Sequence, residues 1–314
     1  SNWSVTKALE FNKTVSIGNQ CDLTIQDFIE YFGNEPNIKV IGVYIEDIKN
    51  GQDFCKKVKQ VTKKKPIFMW KGGVTEEGKK AAFSHTGALV IPNHLWNSMM
   101  KQIGVVLTDS LEELGDIIMS SLYLESLYPK GLNVGILVVG GGSSVEITDA
   151  CAKEGLQIPQ LSLNTMKKLS EMLPEVGTII KNPVDVAGMG FMPEVFGKAV
   201  EIVHEDPKIN AIITYQLTER FFWNTERARL MGKKDFDFEK ELVKEYKKFK
   251  RFIKKPLICI VPRIIDTDLE LDKVRTYLIK KLSDLKIPTF PSISRAAKVL
   301  VRLYNLKKNL QRQN

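Results

Sequence analysis

Short apolar runs alternate with amphipathic stretches along the whole chain. The runs at 40–45, 67–70, 133–139, 211–215 and 257–261 are rich in Val and Ile and too short for buried helices, so they predict strands. Shorter runs at 14–17 and 105–107 predict two more. Between them the apolar residues fall at helical spacing, as in Ile25, Phe28, Ile29 and Phe32, or Trp96, Met99, Met100 and Ile103. Ser110 with Glu113 forms a capping box ahead of Leu114, Ile117 and Ile118. Strands alternating with helices in this way predict an α/β fold with mostly parallel sheets.

The pattern also repeats. Glu35-Pro36 ahead of 40–45 matches Asp206-Pro207 ahead of 211–215, and Lys64-Lys65-Pro66 matches Lys254-Lys255-Pro256. Gly104-Val105-Val106 followed by Ser110 matches Ile287-Pro288-Thr289 followed by Ser292. Two similar domains are therefore expected, 1–128 and 131–314, with the seam at Tyr128-Pro129-Lys130-Gly131. The second half opens with a strand, a glycine turn and a helix from about Ser143 to Glu154. The first half opens on a segment like that helix, from Ser4 to Glu10, with no strand ahead of it. The expectation is that the first domain is incomplete at its start, or that another segment supplies the strand.

A length of 314 residues suits two domains of roughly 150 each. No apolar run approaches the roughly 20 residues of a membrane helix. Cys21, Cys55, Cys151 and Cys259 form no C-x-x-C pair, which fits a reducing cytoplasm and argues against a zinc site; no metal ligand is expected. A net charge of +9 favours anionic partners, although lysines in 240–255 also read as a solvated helix face. No basic stripe interleaved with aromatics supports nucleic-acid binding.

Three places carry candidate chemistry. Ser84-His85-Thr86-Gly87 sets a histidine among small residues on a loop, where an imidazole can serve as a phosphoryl-accepting nucleophile; a hydrogen-bonded loop histidine reads equally well. Glu46 follows the strand at 40–45, at the carboxyl edge of a parallel sheet, where a carboxylate could fix an imidazole tautomer or simply be solvated beside Asp47. Gly140-Gly141-Gly142-Ser143-Ser144 ends a strand and opens a helix, a setting for phosphate or for close helix–sheet packing. It lacks the Lys of a P-loop, and Val145 breaks G-x-G-x-x-G. Asn182-Pro183-Val184-Asp185 and the matching Gly18-Asn19-Gln20-Cys21-Asp22 read as structural loops; His94 and His204 read as surface or packing residues. Phe221-Phe222-Trp223 reads as core packing, with a groove or subunit contact as the alternative.

Together these motifs resemble the ADP-forming acyl-CoA synthetases, relatives of succinyl-CoA synthetase. The resemblance rests on Val15-Ser16-Ile17-Gly18-Asn19 with Asp22, Tyr44-Ile45-Glu46, Lys65-Pro66 with Lys71-Gly72-Gly73, and Ser84-His85-Thr86-Gly87-Ala88-Leu89. It continues in Gly141-Gly142, Asp149-Ala150-Cys151, Leu173-Pro174 and Asn182-Pro183-Val184-Asp185, in family order over nearly the whole chain. It implies two flavodoxin-like three-layer domains and a reaction interconverting acyl-CoA, ADP and phosphate with acid, ATP and CoA, with Mg²⁺. It further implies that His85 carries the phosphoryl group and Glu46 steadies it, while Gly87 and the helix starts near Ser4 and at Gly142, Ser143 and Ser144 face the phosphate. The CoA-binding Rossmann domain and ATP-grasp module of such enzymes are absent from this chain and are the implied partners; no membrane or nucleic-acid partner is implied. Ser143 stands where relatives often have Pro. A non-catalytic binding or regulatory relative is the alternative, against which the presence of both His85 and Glu46 weighs.

Overall fold

The structure, a computed structural model, describes residues 9–75, 77–78, 92–190, 192–265 and 267–313. Two compact units separate, one of residues 9–122 with 305–313 and one of 123–304.

The second unit contains five parallel strands: β4 (Val134–Val138), β5 (Val184–Asp185), β6 (Ala211–Tyr215), β7 (Leu257–Ile260) and β8 (Thr289–Phe290). Their spatial order is β5-β4-β6-β7-β8, so β4 and β6 flank the point where the chain reverses its progress across the sheet. That order is the flavodoxin-like one, and ligands in such sheets gather at the carboxyl ends beside the reversal. Every residue of β4, β6 and β7 is buried, as expected of strands covered by helices on both faces. The covering helices are α5 (Gly141–Lys153), α6 (Leu163–Ser170), α7 (Pro193–Glu205), α8 (Phe221–Leu230), α9 (Phe238–Lys250) and α10 (Leu269–Asp284); α11 (Ile293–Gln313) follows β8, its residues to 304 belonging to this unit. Ser162, Asp237 and Asp268 cap α6, α9 and α10 by accepting backbone N–H bonds. Phe196, Val203, Ile212, Tyr246 and Cys259 are among the residues at the centre of the core.

The first unit has three parallel strands among the described residues, in the order β1 (Ile41–Ile45), β2 (Ile67–Lys71), β3 (Val106–Thr108). They correspond to β6, β7 and β8. Helices α1 (Ile25–Asn34), α2 (Gly51–Thr62), α3 (Asn93–Gln102) and α4 (Leu111–Leu124) accompany them. Ile29, Phe54, Val58, Ile67, Met69, Trp96 and Met100 build the core. Residues 14–17, expected as a strand, form none. Their counterpart in the repeat is β5, which exists by pairing with β4; among the described residues of the first unit nothing corresponds to β4.

The repeat seen in the sequence has a physical cause. Lys65 donates its ammonium to the carbonyls of Phe32 (3.0 Å) and Glu35, at the end of α1. Lys255 donates to the carbonyl of Asp206 (2.6 Å), at the end of α7. Each lysine thus caps the preceding crossover helix, where orphan carbonyls and the negative end of the helix dipole favour a cation. The capping box at α4 forms with a shift: the Ser110 hydroxyl accepts from Glu113 N (3.1 Å), and Glu113 reaches back to Asp109 N (2.8 Å) rather than to Ser110. No helix among the described residues is long and apolar enough to cross a membrane.

Candidate functional site

At the carboxyl edge of the first sheet, β1 runs out at Ile45 and β2 at Lys71, and the Gly72 amide donates to the Ile45 carbonyl at 2.9 Å. Glu46 follows directly. Its Oε1 accepts a 2.7 Å hydrogen bond from the Tyr44 hydroxyl. Its Oε2 is sealed from solvent and has no hydrogen-bond partner among the described residues. A buried carboxylate oxygen without a donor is uncommon and calls for an explanation. The bond to Glu46, and then burial, push the Tyr44 phenol up to about 12. Beyond Gly72, Gly73 takes a left-handed φ of 67°, which glycine adopts without strain. The Asn93 side chain donates to the Val74 carbonyl at 2.8 Å, drawing together residues on either side of the stretch containing His85. His85 and Gly87 themselves lie outside the described residues, as does Ser4.

In the second unit β4 ends in the turn predicted to hold phosphate. Gly140 has φ +116°, and its amide donates to Asp185 Oδ1 at 2.7 Å; the same oxygen accepts from Ala187 N at 2.8 Å. Helix α5 starts at Gly141, two residues earlier than the sequence suggests, with no side-chain cap. Its first amides therefore carry no intrahelical partner and present the positive end of the helix dipole. Gly141 and Gly142 are exposed, and no atom outside the helix lies within 4 Å of where a Cβ on Gly142 would stand. Ser143 is half-buried. Ser144 is buried at 8% exposure, and its hydroxyl has no partner among the described residues.

A cation that the motifs do not reveal meets this turn. Arg220 sits in a short 3-10 stretch, Thr218–Arg220, just after β6. It donates from Nη1 to the Val139 carbonyl at 2.6 Å, and both Nη atoms lie 3.0 Å from where a Cβ on Gly140 would stand. Because β4 and β6 are neighbours at the chain reversal, the guanidinium and the start of α5 share one edge. A helix N-terminus beside an arginine is an arrangement suited to a phosphoryl group.

The other expected residues have structural places. The Asn182 side chain accepts from Ile136 N (3.0 Å) and donates to Val134 O (2.8 Å) and Pro159 O (3.0 Å), so it pins β4. Asp22, its loop partner's counterpart, is exposed, while Gln20 tethers that loop to the Asp47 carbonyl at 3.3 Å. His94 is exposed on α3. His204 is buried, accepts from Lys254 N at 2.9 Å, and is held below the usual histidine range, mainly by burial. The aromatic cluster divides: Phe221 packs in the core at 2% exposure, but Phe222 and Trp223 are 60% and 72% exposed, contrary to the core reading. The turn of α8 explains this, because three consecutive residues cannot share one face. No cluster of three or more His, Cys, Asp or Glu side chains able to hold a metal occurs among the described residues.

Comparison with known proteins accords with this architecture. Residues 1–120 match the succinyl-CoA ligase-like flavodoxin domain and residues 134–305 match the ligase-CoA domain. The chain is 31% identical over 310 residues to the alpha subunit of ADP-forming acetate–CoA ligase I of Pyrococcus furiosus, covering 98% of this chain and 61% of that one. It is 34% identical over 212 residues to ADP-forming acetate–CoA ligase I of Archaeoglobus fulgidus, covering 68% of this chain and 30% of the relative. The chain thus spans less than two thirds of the length of either. Among solved structures, a dinucleotide-forming acetyl-coenzyme A synthetase 1 of Ca. Korarchaeum cryptofilum, in complex with phosphate and ADP, superposes with a TM-score of 0.77 at 23% identity. That likeness spans 99% of this chain and 62% of the other, and it establishes the fold.

Proposed function

The chain belongs to the family of succinyl-CoA ligase-like proteins, carrying both its flavodoxin domain and its ligase-CoA domain, and on that premise we propose that it is part of an ADP-forming acyl-CoA synthetase. We place the boundary of the two domains near residues 128–131, a few residues beyond the 122/123 division of the compact units. The complete enzyme needs a CoA-binding domain and an ATP-grasp domain or subunit, and it works in the cytoplasm, in keeping with four free cysteines.

The chemistry balances as three exchanges. Phosphate attacks the acyl carbon of acyl-CoA, giving acyl phosphate and the CoA thiol. An imidazole nitrogen of His85 attacks phosphorus; the P–N bond forms as the P–O bond to the acyl group breaks, releasing the carboxylic acid. A terminal oxygen of ADP then attacks phosphorus, the P–N bond breaks, and ATP leaves with the imidazole restored. Mg²⁺ enters with the nucleotide. Glu46 accepts the N–H on the far side of the ring, fixes the tautomer and stabilises the positive charge that grows as the P–N bond forms. Gly87 in the first unit, and separately Gly142, Ser143 and Ser144 with the charge of Arg220 in the second, are each suited to receive phosphoryl oxygens.

The observation that carries this reading is Oε2 of Glu46, sealed from solvent and without a partner among the described residues. A carboxylate oxygen desolvated without a donor costs stability unless a partner arrives, and a ring N–H is such a partner. The names of the relatives make acetate the first acid to test. The chain, combined with CoA-binding and ATP-grasp partners, should form ATP from acetyl-CoA or a related thioester, ADP and phosphate. ATP formation that proceeds equally well without the chain would reject the proposal.

A further inference from the structure

Tyr44 lies in β1 and Glu46 directly follows its last residue, and the two side chains meet in a 2.7 Å hydrogen bond. The tyrosine ring is fixed against Trp70, with centroids 4.9 Å apart. Its hydroxyl and the carboxylate meet in space that exists because residue 72 is glycine. A Cβ there would stand 3.0 Å from the Tyr44 hydroxyl, 3.3 Å from Cε2 and 3.5 Å from Glu46 Cγ. We propose that Tyr44 is a positioning residue for phosphoryl transfer: its hydroxyl occupies Oε1 of Glu46 and leaves Oε2 as the oxygen that meets the imidazole. This inference rests on the phosphohistidine reading of His85 and Glu46.

A carboxylate at the end of a flexible side chain offers either oxygen in turn, and each reorientation interrupts its hold on a ring. One donor fixed to one oxygen removes that exchange. Tyr44 suits the task because its ring is anchored and its proton stays in place throughout the working pH range, its ionisation lying at about 12. The other charged groups close by are Asp47, which follows Glu46, and Lys71, the neighbour of Ile45 across the ladder. Lys71 lays its ammonium over the Trp96 ring, 5.4 Å from the centroid. Of these three, Tyr44 makes the bond.

The test measures the rate of acid-labile phosphate incorporation against ATP concentration in the reassembled enzyme, with wild type, Tyr44→Phe and Gly72→Ala. Tyr44→Phe keeps the ring on Trp70 and should leave the unfolding midpoint unchanged. It should slow incorporation about tenfold, the usual loss when a partner orienting a functional group is removed. The loss should fall on the maximal rate and leave the ATP concentration for half-maximal rate unchanged. Gly72→Ala, which crowds the hydroxyl, should lower the maximal rate in the same way. A Tyr44→Phe enzyme with the wild-type maximal rate overturns the inference while leaving the phosphohistidine reading standing. Wild-type enzyme that takes no label, or takes it undiminished after His85→Ala, overturns that reading and this inference with it.

Discussion

Removing the side chain of Asp185 should destabilise the second unit through the turn that presents the candidate phosphate site. Asp185 is 4% exposed, and its Oδ1 accepts two backbone amides, from Gly140 at 2.7 Å and Ala187 at 2.8 Å. Asp185→Ala orphans both donors. Each unsatisfied buried donor costs about 1–3 kcal/mol, and partial relaxation of an exposed glycine turn brings the sum to about 2–4 kcal/mol. Asp185→Asn keeps an oxygen where both bonds end and loses only their charge assistance, so its cost should be about 1 kcal/mol. Denaturant unfolding followed by circular dichroism, compared at equal m, gives the two values. The same Asp185→Ala protein should transfer phosphoryl groups more slowly, because the turn opens onto Gly142, Ser143 and Ser144. If Asn is as damaging as Ala, or if Ala unfolds within about 0.5 kcal/mol of wild type, the two-amide account of this turn is refuted.

Two further outcomes follow from other residues. Glu46→Gln retains an oxygen for the Tyr44 hydroxyl but loses the charge that steadies a developing imidazolium. Phosphoryl transfer should fall about 100-fold while the unfolding midpoint holds or rises, the desolvated charge being gone, as parallel labelling and denaturation would measure. His204 is held neutral by burial, so the unfolded chain binds a proton that the folded one refuses; stability is present above the unfolded value of about 6.5 and falls as pH drops from there towards the lowered folded value. His204→Gln, which can still accept from Lys254 N, should flatten that slope in unfolding free energy measured between about pH 7 and pH 5.

Much of the fold was legible because the strands are buried on both faces and so appear as unbroken apolar runs; four of the five main runs lie within a residue of the observed strands, and 211–215 coincides with one. Residues 14–17 misled because a run of strand formers becomes a strand only beside a partner, and periodicity carries no information on partners. The lysine-proline repeat was visible, but its cause, ammonium groups capping the previous helix, needed the crossover geometry. At the site, Glu46 was reachable from its place after a strand, and the glycine turn from its composition. Arg220 was not: it lies 80 residues from Gly140 in sequence, and the adjacency of β4 and β6 alone brings them together. Trp223 and Phe222 were misassigned because a cluster of aromatics signals burial on average, whereas helix phase decides it residue by residue.

The most direct test of the central claim is to map phosphate on the reassembled enzyme after incubation with labelled ATP. The account predicts one acid-labile, base-stable label on His85, absent after His85→Ala and discharged to ATP by ADP. A label on another residue, or one that persists at full level in the His85→Ala protein, would contradict it.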